Sequence, residues 1–204
     1  MANEVNQPQQ PVHPPMSNIG GEHVTANYRY IAAYNEVVAR ISQRQQTLTL
    51  FVAIFTGLVT ALLVGRELFR MQAVALDWLM IGFPAASVAL TMLNSKYERL
   101  LSILRGYLAS LERVRDAHLL LPSYNCNIDL VSQANVARRQ HDLTCATLII
   151  AYNVVALGIY YSIASHEDFA FVAVLAAVAS VALACVVAHA RLGKVRYVPS
   201  KTNS

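Results

Sequence analysis

The side chains able to do chemistry in this sequence are few and stand apart. Six histidines lie at positions 13, 23, 118, 141, 166 and 189, and three cysteines at 126, 145 and 185. No Cys-x-x-Cys and no Cys/His ligand spacing occurs, and an odd, unpatterned cysteine count argues against a disulfide framework. Small thiols buried in a reducing compartment are the expected reading. His166-Glu167-Asp168 gathers three possible ligands, but a metal site needs more than this tripeptide supplies, so a solvated turn is expected. No phosphate loop, G-x-S-x-G, H-E-x-x-H or paired-carboxylate site is present. The sequence therefore reads as a non-enzyme, with no catalytic, cofactor-binding or metal-binding residue.

The elements that would position any site are greasy. Of 204 residues, 55% are hydrophobic and 14% charged, against about 25% charged in ordinary soluble domains. Mean hydropathy is +0.40. A spanning helix needs about 20 mostly apolar residues, and four runs qualify: 47–64, 74–93, 144–163 and 169–190. Asp77 is the sole charge inside them. The short joints "GRELFRMQA" and "ASHED" make two helical hairpins, separated by the polar segment 94–143. The expected fold is all-α: a four-span helical membrane protein of two hairpins with a small cytosolic helical bundle.

Basic residues fix the expected orientation, because Lys and Arg resist translocation. With the N-terminus, the middle segment and the C-terminus on one side, that side holds every one of the 16 basic residues except Arg66 and Arg70. Both termini are then cytoplasmic, in a multi-pass protein of the inner (plasma) membrane. Residues 1–21 are polar and proline-rich, with none of the apolar core of a signal peptide. The expected organisation is a disordered cytosolic tail (1–24), an amphipathic stalk helix (25–46), the first hairpin (47–93), a cytosolic helical segment (94–143), the second hairpin (144–190) and a basic cytosolic tail (191–204).

The stalk has apolar residues at Ile31, Tyr34, Val38 and Ile41, a helical spacing that runs without a breaker into the first span. The middle segment places Tyr97, Leu100, Leu104, Tyr107, Leu111, Val114 and His118 at strict three-four spacing. Lys96, Arg99, Arg105, Glu112, Arg113 and Asp116 occupy the other face. The expectation is that stalk and stripe pack together, and that Tyr97, Leu100, Leu104, Tyr107, Leu111 and Val114 offer a partner a surface. Pro122 and "PSYNCN" end this helix, and a second, about 128–142, leads into the third span. A faint repeat aligns "VARISQRQQTLTL" (38–50) with "VARRQHDLTCATL" (136–148), 98 positions on.

Within the spans, Asn153 is expected to hydrogen-bond across helices, and Tyr160 and Tyr161 to sit in an outer aromatic belt. Gly82 and Pro84 predict a kink. Ala176, Ser180, Ala184 and Ala188 repeat every four residues, flanked by Ala173 and Ala177. Such a small-residue ladder marks close helix–helix contact, within one chain or between chains; a homo-oligomer is expected. Ionisable residues of the kind that bind a transporter's cargo are nearly missing, and no selectivity filter is visible.

The layout resembles small membrane effectors of bacterial anti-phage systems, SLATT-like or retron-associated. The resembling residues are "NYRYIAAYNEVVARISQRQQ" running into a span, the tight joint "GRELFRMQA" and the return into "NSKYERLLSILRGYLASLERVRD". The second hairpin is additional to the usual two-span SLATT plan. The resemblance implies an effector of abortive infection, held quiet by a cytosolic protein or ribonucleoprotein partner or sensing a signal, that oligomerises on release and compromises the membrane. The alternative is a non-catalytic accessory or immunity-type subunit of a larger complex. "RVRDAH" also resembles the Arg-x4-His motif of HEPN ribonucleases, through Arg113 and His118, but His118 equally completes the apolar stripe, which is the reading adopted. Arg99, Arg105, Arg113, Arg115, Arg138 and Arg139 are read as facing anionic lipid heads, and direct nucleic-acid contact is not expected. No cofactor is expected.

Overall fold

A computed structural model describes residues 26–69, 73–114, 123–163 and 169–199. The tail 1–24, Arg70, Arg115, His118 and His166-Glu167-Asp168 lie outside the described residues. Four helices make up almost all of the described chain: α1 (Ala26–Phe69), α2 (Ala73–Glu112), α3 (Ile128–Ile163) and α4 (Phe169–Arg191), followed by a 3-10 turn at Leu192–Val195. Each of the four is long and apolar enough to cross a membrane. Stalk and span form one continuous helix in α1, and polar segment and span do so in α2 and α3. Pro84 lies inside α2 without ending it.

Local chemistry sets the helix ends. Asn127 caps α3: its Oδ1 accepts from the backbone amides of Asp129 and Leu130 at 2.9 and 3.2 Å. This satisfies two first-turn donors, and Asp129 adds a negative charge where the helix dipole favours one. Gly82 lets α1 and α2 approach closely, since a Cβ there would stand 3.0 Å from Leu58 Cδ2.

The helices pack most extensively as α1 on α2, then α2 on α4 and α3 on α4. The larger core cluster joins all four helices around Phe55, Leu62, Met80, Phe83, Ile149 and Tyr160. Phe55 stacks at a tilt on Tyr152 and edge-on to Phe83. Leu50, Leu63, Trp78, Met92, Val154 and Leu183 face outward. An exterior of hydrocarbon around a core that holds polar side chains is the inverse of a soluble bundle, and suits lipid.

The faint repeat extends through the whole bundle. Burial recurs at an offset of 98: Phe51 with Ile149, Phe55 with Asn153, Leu62 with Tyr160, Met80 with Val178, Ser87 with Cys185 and Thr91 with His189. The α1–α2 hairpin and the α3–α4 hairpin thus use matching faces.

Four expectations are corrected. The stalk packs on α2, but not through Ile31, Tyr34, Val38 and Ile41, which are 39–53% exposed. It packs through Tyr30, Ala33 and Val37 against Leu101, Leu104 and Leu108. On α2 the face turned inward is Asn94, Glu98, Leu101, Arg105 and Leu108, so Tyr97, Leu100, Leu104 and Leu111 are only half-buried and Tyr107 and Val114 are exposed. Arg105, assigned to the polar face, is buried. Tyr160 belongs to the core, not to an aromatic belt, whereas Tyr161 is 58% exposed.

Candidate functional site: a buried charge ring at the base of the bundle

The stalk end of the bundle, called the base below, holds a cluster of charge drawn from every helix. Arg44 comes from α1, Asn94 and Glu98 from α2, Arg138 and Asp142 from α3, and Arg196 from the segment after α4. All but Arg196 are buried, and Arg196 is half-buried. Each position follows from the fold. Helices α1, α2 and α3 run past the apolar runs without a break, and their inward faces carry polar side chains within two turns of the ends of those runs.

Four of these residues form a closed ring of alternating sign. Arg44 donates to Glu98 at 3.0 Å and pairs with Asp142. Asp142 pairs with Arg196, and Arg196 Nε stands 3.5 Å from Glu98 Oε1. Arg138 adds a fifth charge, pairing with Glu98 and donating to Asn135 Oδ1 at 3.2 Å. Asn94 sits between the two halves: its Oδ1 accepts from Arg44 and its Nδ2 donates to Asp142 at 3.1 Å. Three guanidiniums face two carboxylates, so the cluster carries a net positive charge. Taking ions out of water is costly unless each is paired and hydrogen-bonded, and here every carboxylate has at least two donors.

The ring follows the internal repeat. Arg44 and Asp142 are 98 residues apart, and Glu98 and Arg196 share the same offset. Each cross-hairpin pair joins equivalent positions of opposite sign. The within-hairpin pairs, Arg44 with Glu98 and Asp142 with Arg196, are each other's charge-inverted counterparts.

Further polar contacts line the interior between base and hairpin tips. Asn153, 2% exposed, donates to Ser87 Oγ on α2 at 3.0 Å and to the Ile149 carbonyl at 2.7 Å, leaving its Oδ1 without a partner. Near the tips Tyr160 donates to Asp77, the one charge inside a span. Below the ring, Glu112 gathers the end of the α2–α3 connection. It accepts from Ser123 Oγ at 2.6 Å, the Asn125 amide at 3.0 Å, Asn125 Nδ2 at 2.7 Å, the Cys126 amide at 3.2 Å and Tyr30 Oη at 3.2 Å. Partial burial opposes the charge on Glu112, but these donors outweigh it and hold the carboxyl below its usual range. Partial burial and that same carboxylate push the Tyr30 phenol up.

The residues singled out from the sequence are dispersed. The inward face of α4 is Phe171, Val178, Ala182, Cys185 and His189. Ala173, Ala176, Ala177, Ser180 and Ala184 therefore point outward, and Ala188 is half-buried. Cys126, Cys145 and Cys185 are free thiols, the last two buried. Of the arginines read as facing lipid heads, Arg105 and Arg138 are buried: Arg138 is in the charge cluster, and Arg105 lies over the Tyr124 ring at 6.0 Å. The ring escaped sequence reasoning, although its signal was present: the repeat 38–50/136–148 already aligns Arg44 with Asp142, and the same offset carried further aligns Glu98 with Arg196.

Among the described residues, no group of three or more His, Cys, Asp or Glu side chains is placed to hold a metal. Comparison with protein-family models, characterised proteins and solved structures finds no match to this chain.

Proposed function

We propose that this chain is an integral inner-membrane effector of a bacterial anti-phage (abortive-infection) system. In this reading both termini are cytoplasmic. A cytosolic protein or ribonucleoprotein holds the chain quiet, and once released it oligomerises and compromises the membrane. The observation that carries the reading is the placement of the small residues on α4. Ala173, Ala176, Ala177, Ser180 and Ala184 are exposed on an apolar helix whose opposite face already fills the core. Within lipid, an outward ladder of small residues serves close approach by another helix.

Two further features suit it. The outer face of the cytosolic helices presents Tyr34, Val38, Tyr107 and Val114 to a partner. The charge ring ties the two hairpins together at the base, where a partner would act. Such a polar tie has few stable intermediate arrangements, because parting the hairpins separates Arg44 from Asp142 and Glu98 from Arg138 and Arg196 together.

The test is inducible expression of the full chain in a bacterium, following growth and membrane potential. The expected result is depolarisation and arrest, abolished by Ser180→Leu/Ala184→Leu at unchanged membrane abundance. Harmless expression of both the full chain and a form lacking residues 1–24 would instead favour a non-catalytic accessory or immunity-type subunit. That second reading draws on the same exposed stripe as a docking face.

A further inference from the structure

Between α2 and α4, on the outside of the bundle, lies a groove of about 640 Å³. Its two ends differ in chemistry. At the base it is lined by Ser95, Arg99 and Arg191, and toward the membrane centre by Leu183, Ala184, Val187 and Ser180. Arg99 and Arg191 are both exposed, and no acidic residue lines the groove. Glu98 and Asp142, the carboxylates of the charge cluster, are already committed to Arg44, Arg138 and Arg196. Two guanidiniums thus face an opening with no counter-charge supplied by the lining.

From Ser180 to Arg191 an α-helix rises about 16 Å, close to half of the roughly 30 Å hydrocarbon core. The groove is therefore one leaflet deep, with its charge at the headgroup level and small or aliphatic side chains along its floor. Ala184 and Ala188 leave room that larger residues would fill.

We infer that this groove binds a single anionic phospholipid. Its phosphate is held by Arg99 and Arg191, its headgroup or ester oxygens accept from Ser95, and one acyl chain lies along Ser180, Ala184 and Val187. Guanidinium pairs suit phosphate because their N–H groups match its oxygens in geometry and sign, and basic recesses between helices at the membrane surface recognise anionic headgroups. The buried charge cluster at the same end of the bundle carries a net positive charge and disfavours a zwitterionic headgroup, whose ammonium would be repelled. A lipid seated there covers half of the small-residue ladder, so a second copy of the chain would have to displace it.

The experiment uses the full chain purified in a mild detergent and examined by native mass spectrometry. It is titrated with phosphatidylglycerol, with phosphatidylcholine of the same acyl chains, and with glycerol phosphate. The expected result is one phosphatidylglycerol retained per chain, at concentrations where phosphatidylcholine is not retained and glycerol phosphate does not compete. Arg99→Gln/Arg191→Gln weakens retention about tenfold or more, as expected for two charge-assisted contacts. The charge-matched Arg29→Gln/Arg40→Gln chain, altered on the stalk, retains lipid like the wild type. Equal retention of phosphatidylcholine, or equal loss in the stalk variant, would overturn the inference. A dimer that persists at saturating phosphatidylglycerol and that Ala184→Phe converts to monomer would also overturn it, giving the groove to a second copy. Depolarisation by the expressed chain is a separate readout, so failure of the effector reading leaves this result legible.

Discussion

Arg44 and Asp142 occupy the same position in the two halves of the chain, and they bind each other. In a pair of hairpins related by an approximate two-fold, a residue touches its own counterpart only where the axis passes. Identical residues would then bring like charges together. Opposite signs at these positions, and at Glu98 and Arg196, turn that repulsion into the contact that joins the hairpins.

The ring makes an unusual prediction about charge exchange. Arg44→Ala removes one donor each from Glu98, Asp142 and Asn94, while Arg138 and Arg196 still pair with the two carboxylates, and is expected to cost about 1–3 kcal/mol. The exchange Arg44→Asp/Asp142→Arg keeps the cross-hairpin pair, yet it sets Asp against Glu98 and Arg against Arg196. The exchanged chain is therefore expected to unfold no later than Arg44→Ala on heating in detergent. A simple two-residue salt bridge would instead be restored by the exchange.

Glu112 predicts an acid limit for the base. Its carboxyl is held below the ordinary range by donors from Ser123, Asn125 and Tyr30, working against partial burial. An acid with a depressed folded pKa stabilises fully above its unfolded value of about 4.3. That contribution is lost as pH falls from there through the folded value. Hydrogen exchange at the Asn125 and Cys126 amides should therefore stay slow from pH 7 to about 5 when corrected for intrinsic rates, and quicken below about 4.3. Glu112→Gln should flatten this profile and cost about 1 kcal/mol, at the low end because solvent reaches the site.

Asn153 separates packing from polarity. Its Nδ2 bonds Ser87, but its Oδ1 has no partner. Interhelical bonds of this kind contribute about 0.6 kcal/mol on average, and an orphaned acceptor offsets much of that. Asn153→Leu, which resembles the apolar Phe55 at the equivalent position, is expected to change unfolding free energy by less than about 1 kcal/mol. Asn153→Asp should cost about 3 kcal/mol, the penalty of a carboxylate at mid-membrane. A reconstituted unfolding equilibrium distinguishes the two.

The helices were legible because uninterrupted hydrocarbon leaves no alternative to a spanning helix. Residues 47–64 and 169–190 lie inside α1 and α4, and the cap at Asn127 agrees with a helix starting near 128. What was not legible was which face of a helix turns inward. On α2 the three-four run Tyr97, Leu100, Leu104, Tyr107 looks like a core stripe, yet the bundle buries Glu98, Leu101, Arg105 and Leu108, one position along. Periodicity reports that a face is apolar. It does not report whether that face meets the bundle, and a charged residue is admitted to the inner face when another helix supplies its counter-charge. For Glu98 the partners come from three distant segments, Arg44, Arg138 and Arg196. Local spacing could not join them, although the 98-residue repeat contains two of the pairings.

The matched halves have a consequence for chain connectivity. Each hairpin supplies one plus and one minus to the ring, and each begins and ends at the same side of the bundle. The ring is thus indifferent to which hairpin is made first. A circularly permuted gene, opened in the 113–127 connection and closed by a flexible linker from the C-terminal segment to the stalk, encodes the same closed loop of charges. The permuted chain is therefore expected to close the same ring, read as an unfolding midpoint in detergent close to that of the parent.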